Sequence, residues 1–419
     1  MSLRYPLKER YKSRSTGNLF RFPYVEWPCV VLGRISWQEI SATSLGNLLI
    51  RQSRHLRALE FFSGIGLARA GMNAVGIETV WANDIDNVKC RLYSAQWGTD
   101  DLHFGDVFDV DAGSVPDADI AWASSPCTDL SLAGKRGGLV DGSESRAFFG
   151  FVDVIEGMGN RAPRALVLEN VCGLASSHGG SDFRMVVEEF NRLGYSVDAF
   201  ELNARRWIPQ SRPRMFVVGV KDPVGGGEID TSIRPDRLAW IHSDPGLMTH
   251  ITPVEKAPVL LSGGFTAITE RIADDDPRWW NSARCRSFVD SLSDVQRARF
   301  DALRSAEETV ARAAYRRTRA GKPVWEMRED DVSGCLRTAR GGSSKQAVVF
   351  IGNGDARIRW MTGLEYARLQ GAGDFRLSGF SESQIQYAFG DAVAVPVVTW
   401  LMKQAVIPAL KKGLSANGG

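Results

Sequence analysis

The chain has 419 residues, of which 44% are hydrophobic and 24% charged, and a formal net charge of +2. That composition excludes collagen-like and disordered architectures, and so small a net charge means that any affinity for nucleic acid must come from local patches. Six cysteines without a Cys-x-x-Cys pair and five scattered histidines argue against a disulfide scaffold and a structural zinc site, so no metal is expected. No uninterrupted apolar run approaches the roughly 20 residues of a membrane helix, and Pro28–Gly33 is too short for a secretory core. A cytoplasmic chain with reduced thiols and no membrane partner is expected.

Residues 1–55 read as a basic N-terminal extension, with nine Lys/Arg against three acids and interleaved aromatics such as Tyr5, Tyr11, Trp27 and Trp37. A solvated arm packing on the body accounts for this run at least as well as a DNA-touching one. From Leu56 short apolar runs alternate with helical periodicity. Strands are expected at Arg57–Phe62, Thr79–Ala82, Leu102–Val107, Ala118–Ala123 and Ala165–Asn170, and then at Tyr195–Leu202 and Met215–Val220. Helices are expected after Gly66 and over Asp86–Trp97, Phe148–Met158 and Phe183–Leu193. This rhythm predicts an α/β fold with a mostly parallel sheet covered on both faces. From Lys221 to about Phe350 the rhythm breaks, which predicts a second domain with helical periodicity from Ser291 to about Arg319. A helical pattern returns at Met361, and Val393–Leu410 reads as a buried C-terminal element.

Four constellations carry chemistry. The first strand runs into Phe62-Ser63-Gly64-Ile65-Gly66, a glycine turn that lets a ligand approach the backbone at a strand's carboxyl end. Asp84 follows about twenty residues later, where a carboxylate accepts from ribose hydroxyls. The full Gly-x-Gly-x-x-Gly is missing, so S-adenosylmethionine fits better than a pyrophosphate-bearing nicotinamide cofactor. The second is Ser125-Pro126-Cys127-Thr128-Asp129-Leu130-Ser131, again at a strand end and followed by the glycine-rich Gly134–Gly138 with Lys135 and Arg136. A cysteine is ordinarily a small buried hydrophobe, but here its position at the carboxyl end of the sheet makes it a candidate nucleophile. The third is Leu168-Glu169-Asn170-Val171, and the fourth Gln210-Ser211-Arg212-Pro213-Arg214, whose alternation puts both arginines on one face. Taken singly, a capping glutamate and an exposed basic edge strand would explain the last two.

In this order and spacing, the motifs from Phe62 to Val393 resemble the cytosine-specific C5 DNA methyltransferases. The resemblance implies the Rossmann-like, mostly parallel sheet of S-adenosylmethionine-dependent methyltransferases, with a smaller target-recognition domain. The implied division is 56–221 for the catalytic and cofactor-binding domain, 222–383 for target recognition, and 384–412 for a C-terminal return completing the first. It implies methyl transfer from S-adenosylmethionine to C5 of a cytosine flipped out of duplex DNA. Cys127 would be the nucleophile that adds to C6, and Glu169 would bond N3 and the exocyclic amine. Asn170 would shape the turn, Arg212 would contact the base and Arg214 would order the site. Phe62, Gly64, Gly66, Asp84, Ile85, Asp106, Pro126, Asp391 and Ala392 would hold the cofactor. Ser131, Lys135, Arg136 and Arg146 match the family's closing loop; Arg337, Thr338 and Arg340 match its recognition loop. Arg359–Gly371 matches the segment that organises the recognition domain, and Gln386–Val393 the last cofactor motif. A DNA-methylating monomer is expected, with a restriction endonuclease as possible companion in a restriction-modification system.

Two positions depart from the family: Leu67 stands where it usually has Gly, and Asp391 where it has Asn. Three other readings stay open on residues alone: an RNA cytosine methyltransferase, a DNA-binding homologue without catalysis, and a nicotinamide enzyme on a similar sheet. Between Arg312 and Lys345 nine Lys/Arg face four acids, which predicts DNA affinity that falls steeply with salt.

Overall fold

The structure is a computed structural model that describes residues 55–126, 146–319, 321–338 and 345–416. Its larger sheet has seven strands: β1 (Leu56–Phe61), β2 (Ile77–Asp84), β3 (Leu102–Phe104), β4 (Ile120–Ala123), β5 (Ala165–Asn170), β6 (Ser196–Asn203) and β7 (Pro213–Val220). They lie in the order β3-β2-β1-β4-β5-β7-β6. The pairs β1/β2, β2/β3, β1/β4 and β4/β5 are parallel, while β7 runs antiparallel to both its neighbours. The chain therefore builds outward from β1 to β3 and then returns to lay β4 on the other side of β1. The two connections leave in opposite directions and open a crevice at the carboxyl ends of β1 and β4, where sheets of this kind bind ligands.

Both faces of the sheet are covered, which is why its strands are nearly continuous apolar runs. Successive residues alternate between two cores. Ala58, Ile120, Trp122 and Val167 pack with Val398, Leu401 and Val406 of the C-terminal helices. Leu59, Phe61, Ala121 and Leu166 pack with Phe148, Phe151 and Phe190. Helix Asn87–Trp97 starts at Asp86, whose side chain accepts from the Val88 and Lys89 amides, and stops at Gly98. The expected helices appear as Leu67–Asn73, Asn87–Trp97, Ala147–Gly157 and Ser181–Arg192.

A second sheet, all antiparallel, contains β8 (Val310–Arg319), β9 (Lys322–Met327), β10 (Ala347–Gly352) and β11 (Asp355–Trp360), ordered β11-β10-β8-β9. Trp280, Phe288, Phe300 and Met327 pack against it. Arg284 lies over the Trp280 and Trp360 rings.

The structure corrects two expectations. Helical periodicity ends at Arg304, not Arg319: helix Asp294–Arg304 is followed by β8. The alanines and arginines of 311–319 have good helix propensity, but pairing with β9 and β10 overrides it. Leu102–Val107 is a strand only to Phe104, because Asp106 caps a tight turn at Val107–Asp109 by accepting from the Phe108 amide. Residues 230–252 return along the edge of β6, through Glu201 N donating to Ile233 O (2.7 Å) and Val197 N to Met248 O (3.0 Å). The helical stretch Glu382–Lys411, interrupted at residues 392–394, is long and apolar enough to cross a membrane, but 67% of its most apolar window is buried in the protein. Counting uninterrupted apolar residues did not reveal it, since Asp391 and Lys403 break the run.

Candidate active site

At the crevice lies a cavity of about 640 Å³. Its walls come from the loops after β1, β2, β4 and β5, from the start of β7, and from helix Glu382–Asp391. After β1 the chain turns sharply, with positive φ at Phe62 (54°), Gly64 (56°) and Gly66 (78°). Phe62 and Gly64 line the cavity, and so does Leu67. Gly66 does not: a Cβ there would collide with the Trp97 indole, so this glycine serves the turn and its packing.

Asp84 ends β2 with one carboxylate oxygen on the Gly64 amide (2.7 Å) and the other on the Asp86 amide (2.8 Å). Burial pushes its carboxyl up, partly offset by Lys89 and by these two amides. Ile85 beside it is 61% exposed and lines the cavity with Asp106 and Phe108. An exposed isoleucine and phenylalanine next to a fixed carboxylate form an apolar shelf with a polar edge, suited to a nucleoside. Pro126, Asp391 and Ala392 line the same cavity. Three buried polar atoms on its walls, Glu60 Oε2, Ser63 Oγ and Ser125 Oγ, have no hydrogen-bond partner among the described residues. A polar ligand would satisfy such atoms.

Glu169 and Arg214 form the cavity's charged end, with Arg214 Nε 3.2 Å from Glu169 Oε1. Burial raises the Glu169 carboxyl above its usual range, against the opposing pull of Arg214 and Arg212. Asn170 donates to the Ser125 carbonyl (3.4 Å) and accepts from the Val171 amide (2.8 Å). It thus ties the end of β5 to the Ser125-Pro126 segment that leads into Cys127.

The two arginines, expected to contact the base (Arg212) and to order the site (Arg214), stand in different settings. Arg212 is 1% exposed and donates to Leu336 O (3.0 Å), Gly390 O (3.2 Å) and Asp391 O (2.9 Å). Its two terminal nitrogens thus bridge the segment at Leu336 and the end of helix Glu382–Asp391, while Arg214 is the one facing the cavity. Both reach Cys335 Sγ, at 3.3 and 3.8 Å. Burial pushes that thiol up, but the two guanidiniums outweigh it and hold the thiol below its ordinary range.

Of the residues expected to meet DNA, Thr338 lines the cavity and Arg337 is exposed next to it. Arg146 is exposed at the start of helix Ala147–Gly157, beside the cavity-lining Ala147. Cys127, Ser131, Lys135, Arg136 and Arg340 lie outside the described residues.

Sequence reasoning missed Glu60, Lys89, Phe108, Ser124 and Ser125, all cavity-lining. Glu60 had a signal, being a carboxylate inside the apolar run Leu59-Glu60-Phe61. Burial pushes it up to about 8, so it is largely neutral at pH 7. Lys89 had none, because a lysine on a helix after a capped turn is ordinarily a solvated one.

A family model for C-5 cytosine-specific DNA methylases matches residues 56–406. Type II methyltransferase M.NgoBI of Neisseria gonorrhoeae is 28% identical over 350 residues, covering 82% of this chain and 90% of that protein. Orphan methyltransferase M.Rho11sI of Bacillus phage rho11s is 34% identical over 171 residues, covering 40% of this chain and 33% of that protein; the chain thus matches about a third of the phage relative's length. The S. pombe Dnmt2 methyltransferase shares the fold with a TM-score of 0.55 at 18% identity, covering 86% of this chain and 99% of that one. The Entamoeba histolytica methyltransferase EhMeth does so with a TM-score of 0.57 at 13% identity and the same coverage. The fold is that of S-adenosylmethionine-dependent methyltransferases, and with a family match running from β1 to the C-terminal helices, the chain belongs to the C-5 cytosine-specific DNA methylase family of methyltransferase enzymes.

Proposed function

We propose that this protein methylates C5 of a cytosine extruded from duplex DNA, using S-adenosylmethionine and a transient bond between Cys127 and C6. The observation that carries the reading is that the buried Glu169–Arg214 pair and the Asp84–Ile85 nucleoside shelf share one cavity, bordered by the Pro126 that precedes Cys127.

S-adenosylmethionine, when bound against Asp84, Ile85, Asp106 and the Phe62–Gly64 turn, supplies the methyl group that an activated C5 accepts. The rest is work for side chains. Cytosine C5 is a poor nucleophile until a thiolate adds to C6 and pushes electron density onto C5 and N3. Cys127 supplies the thiolate; a free thiol has a pKa of about 8.5, so cationic surroundings such as Arg214 raise the reactive fraction. Glu169, with its raised pKa, keeps a proton to share with N3 as charge develops there, and its other oxygen accepts from the exocyclic amine. Arg214 orients Glu169 and presents a guanidinium to the base. A base, reached through water, takes the C5 proton, and the electron pair left behind expels the Cys127 sulfur as thiolate and restores the aromatic ring.

Residues around the second sheet form the target-recognition region in this reading. Thr338 reaches the cavity and Arg337 stands exposed at its edge, which supports a base extruded between the two sheets. Cytosine replaced by 5-fluorocytosine tests the covalent step, because fluorine cannot leave C5 as a proton does. With S-adenosylmethionine present, duplex DNA carrying it is expected to give a denaturation-resistant complex with the native protein and none with Cys127→Ala. A trapped complex of equal yield with Cys127→Ala would overturn the assignment.

A further inference from the structure

Lys89, on helix Asn87–Trp97, and Asp391, at the end of helix Glu382–Asp391, stand 302 residues apart in sequence and meet at the wall of the cavity. Lys89 Nζ is 2.8 Å from Asp391 Oδ2. The lysine side chain is 17% exposed and the aspartate 46%. The pair is therefore fixed on one side and open to the cavity on the other.

The surroundings hold the lysine in place. Its stem passes 3.9 Å from where a Cβ on Gly64 would lie. Its ammonium is 5.8 Å from the centre of the Tyr387 ring, and the Tyr387 hydroxyl donates to Asp86. Burial works against the Lys89 charge, but Asp391 and Asp84 more than restore it. The lysine is thus mostly withdrawn from water while its aspartate partner stays open to the cavity. Nearby on the same cavity wall, Ser63 Oγ and Glu60 Oε2 have no partner among the described residues. Asp84, the ribose acceptor in the proposed function, is fixed to the Gly64 amide beside Lys89. What extends from a ribose held there, past its 5′ carbon, is the amino-acid end of the cofactor, a zwitterion with one carboxylate and one ammonium.

We propose that Lys89 and Asp391 bind this zwitterion, Lys89 pairing with its carboxylate and Asp391 with its ammonium. The inference rests on the cofactor assignment above. Four alternating charges replace two, so neither ligand charge is buried unpaired, and an aspartate serves where a neutral amide could not offer a full countercharge.

The test is equilibrium binding to the full chain, by calorimetry, of two probes: S-adenosylhomocysteine, which carries the amino-acid end, and 5′-methylthioadenosine, which lacks it. Asp391→Asn, nearly isosteric, and Lys89→Met are each expected to weaken S-adenosylhomocysteine by about tenfold, the scale of one charge-assisted hydrogen bond, with 5′-methylthioadenosine unchanged. A third probe, decarboxylated S-adenosylhomocysteine, is expected to lose affinity to Asp391→Asn but not to Lys89→Met. An unaltered ratio of the first two probes in both variants, or an equal fall for both, would overturn the proposal while leaving the cofactor assignment intact. Failure of the native protein to bind either probe would overturn both. Should Lys89→Met fail to fold, as thermal unfolding would reveal, Asp391→Asn with the three probes decides the matter alone.

Discussion

Arg214 Nε lies 3.2 Å from Glu169 Oε1, across the join between β5 and the antiparallel β7. That reversal of strand direction has a consequence: the start of β7 and the end of β5 fall on the same rim of the sheet. A parallel strand in that place would have put its carboxyl end there instead. The pair places a carboxyl with a raised pKa and a guanidinium at one end of the cavity, where the proposed function puts the base.

Glu169→Gln keeps the shape but cannot shuttle a proton. Its kcat is expected to fall about 10²- to 10⁴-fold, the usual contribution of a positioned acid–base group, with cofactor affinity unaltered. Single-turnover methyl transfer beside calorimetric cofactor titration separates the two.

Removing the guanidinium should move the pH profile in a defined direction. Burial raises the Glu169 carboxyl and Arg214 lowers it, so Arg214→Met leaves burial less opposed and the pKa rises further. A step that uses protonated Glu169 is lost as pH climbs through that pKa. The descending limb of the rate–pH profile is thus expected at higher pH in the variant, on a lower maximum. A limb that moves down would contradict the assignment.

A Cβ at Gly390 would overlap the Arg337 carbonyl and the Thr338 amide. Gly390→Ala is expected to cost about 1–3 kcal/mol, the usual scale of overpacking, and to displace Thr338 from the cavity wall. Denaturant unfolding measures the first, and weakened DNA binding with intact cofactor binding reports the second.

Asp198 is fully buried and accepts from Arg234 Nε (3.0 Å) and Nη2 (2.8 Å) and from the Thr252 amide (2.9 Å). Burial alone pushes its carboxyl up; His242, Arg234 and the Thr252 amide outweigh that and bring it down to about 2. A folded-state pKa below the ordinary 3.8 adds stability that is complete above that value and fades as pH falls towards 2. Asp198→Asn is expected to flatten the acid limb of stability against pH. It should also cost about 3–5 kcal/mol at neutral pH, because Arg234 is left buried without its counterion.

DNA affinity should fall with salt, but less than a count of charges suggests. Nine phosphate contacts would give a slope of about −8 in log affinity against log salt. Of the nine basic residues between Arg312 and Lys345, however, Arg312, Arg317, Arg319 and Arg328 pair with Asp331, Glu326 and Asp330. Arg316 lies over the Trp325 ring. A shallower slope is expected, and fluorescence anisotropy over a salt series measures it.

The large sheet was legible in the sequence because its strands are buried on both faces and so appear as unbroken apolar runs such as Ala165–Leu168. The small sheet was not. Val310–Arg319 is rich in alanine and arginine without a clear period of two, and its strand character comes from pairing with β9 and β10. At the cavity, Asp84 and Glu169 were visible as carboxylates at strand ends, and Asp391 through the family resemblance of Gln386–Val393. The division of labour between Arg212 and Arg214 was not, since both lie in one short motif and only tertiary contacts with Leu336, Gly390 and Asp391 distinguish them. Lys89 escaped notice for the same reason, as its partner lies 302 residues away.

The central claim is methyl transfer to cytosine C5 in DNA. Purified protein would be incubated with S-adenosylmethionine bearing a labelled methyl group and, separately, with unmethylated duplex DNA and with tRNA, and the products digested to nucleosides. Label recovered as 5-methylcytosine from the duplex is the expected result. Label found in tRNA alone, or in DNA at any atom other than C5 of cytosine, would contradict the claim.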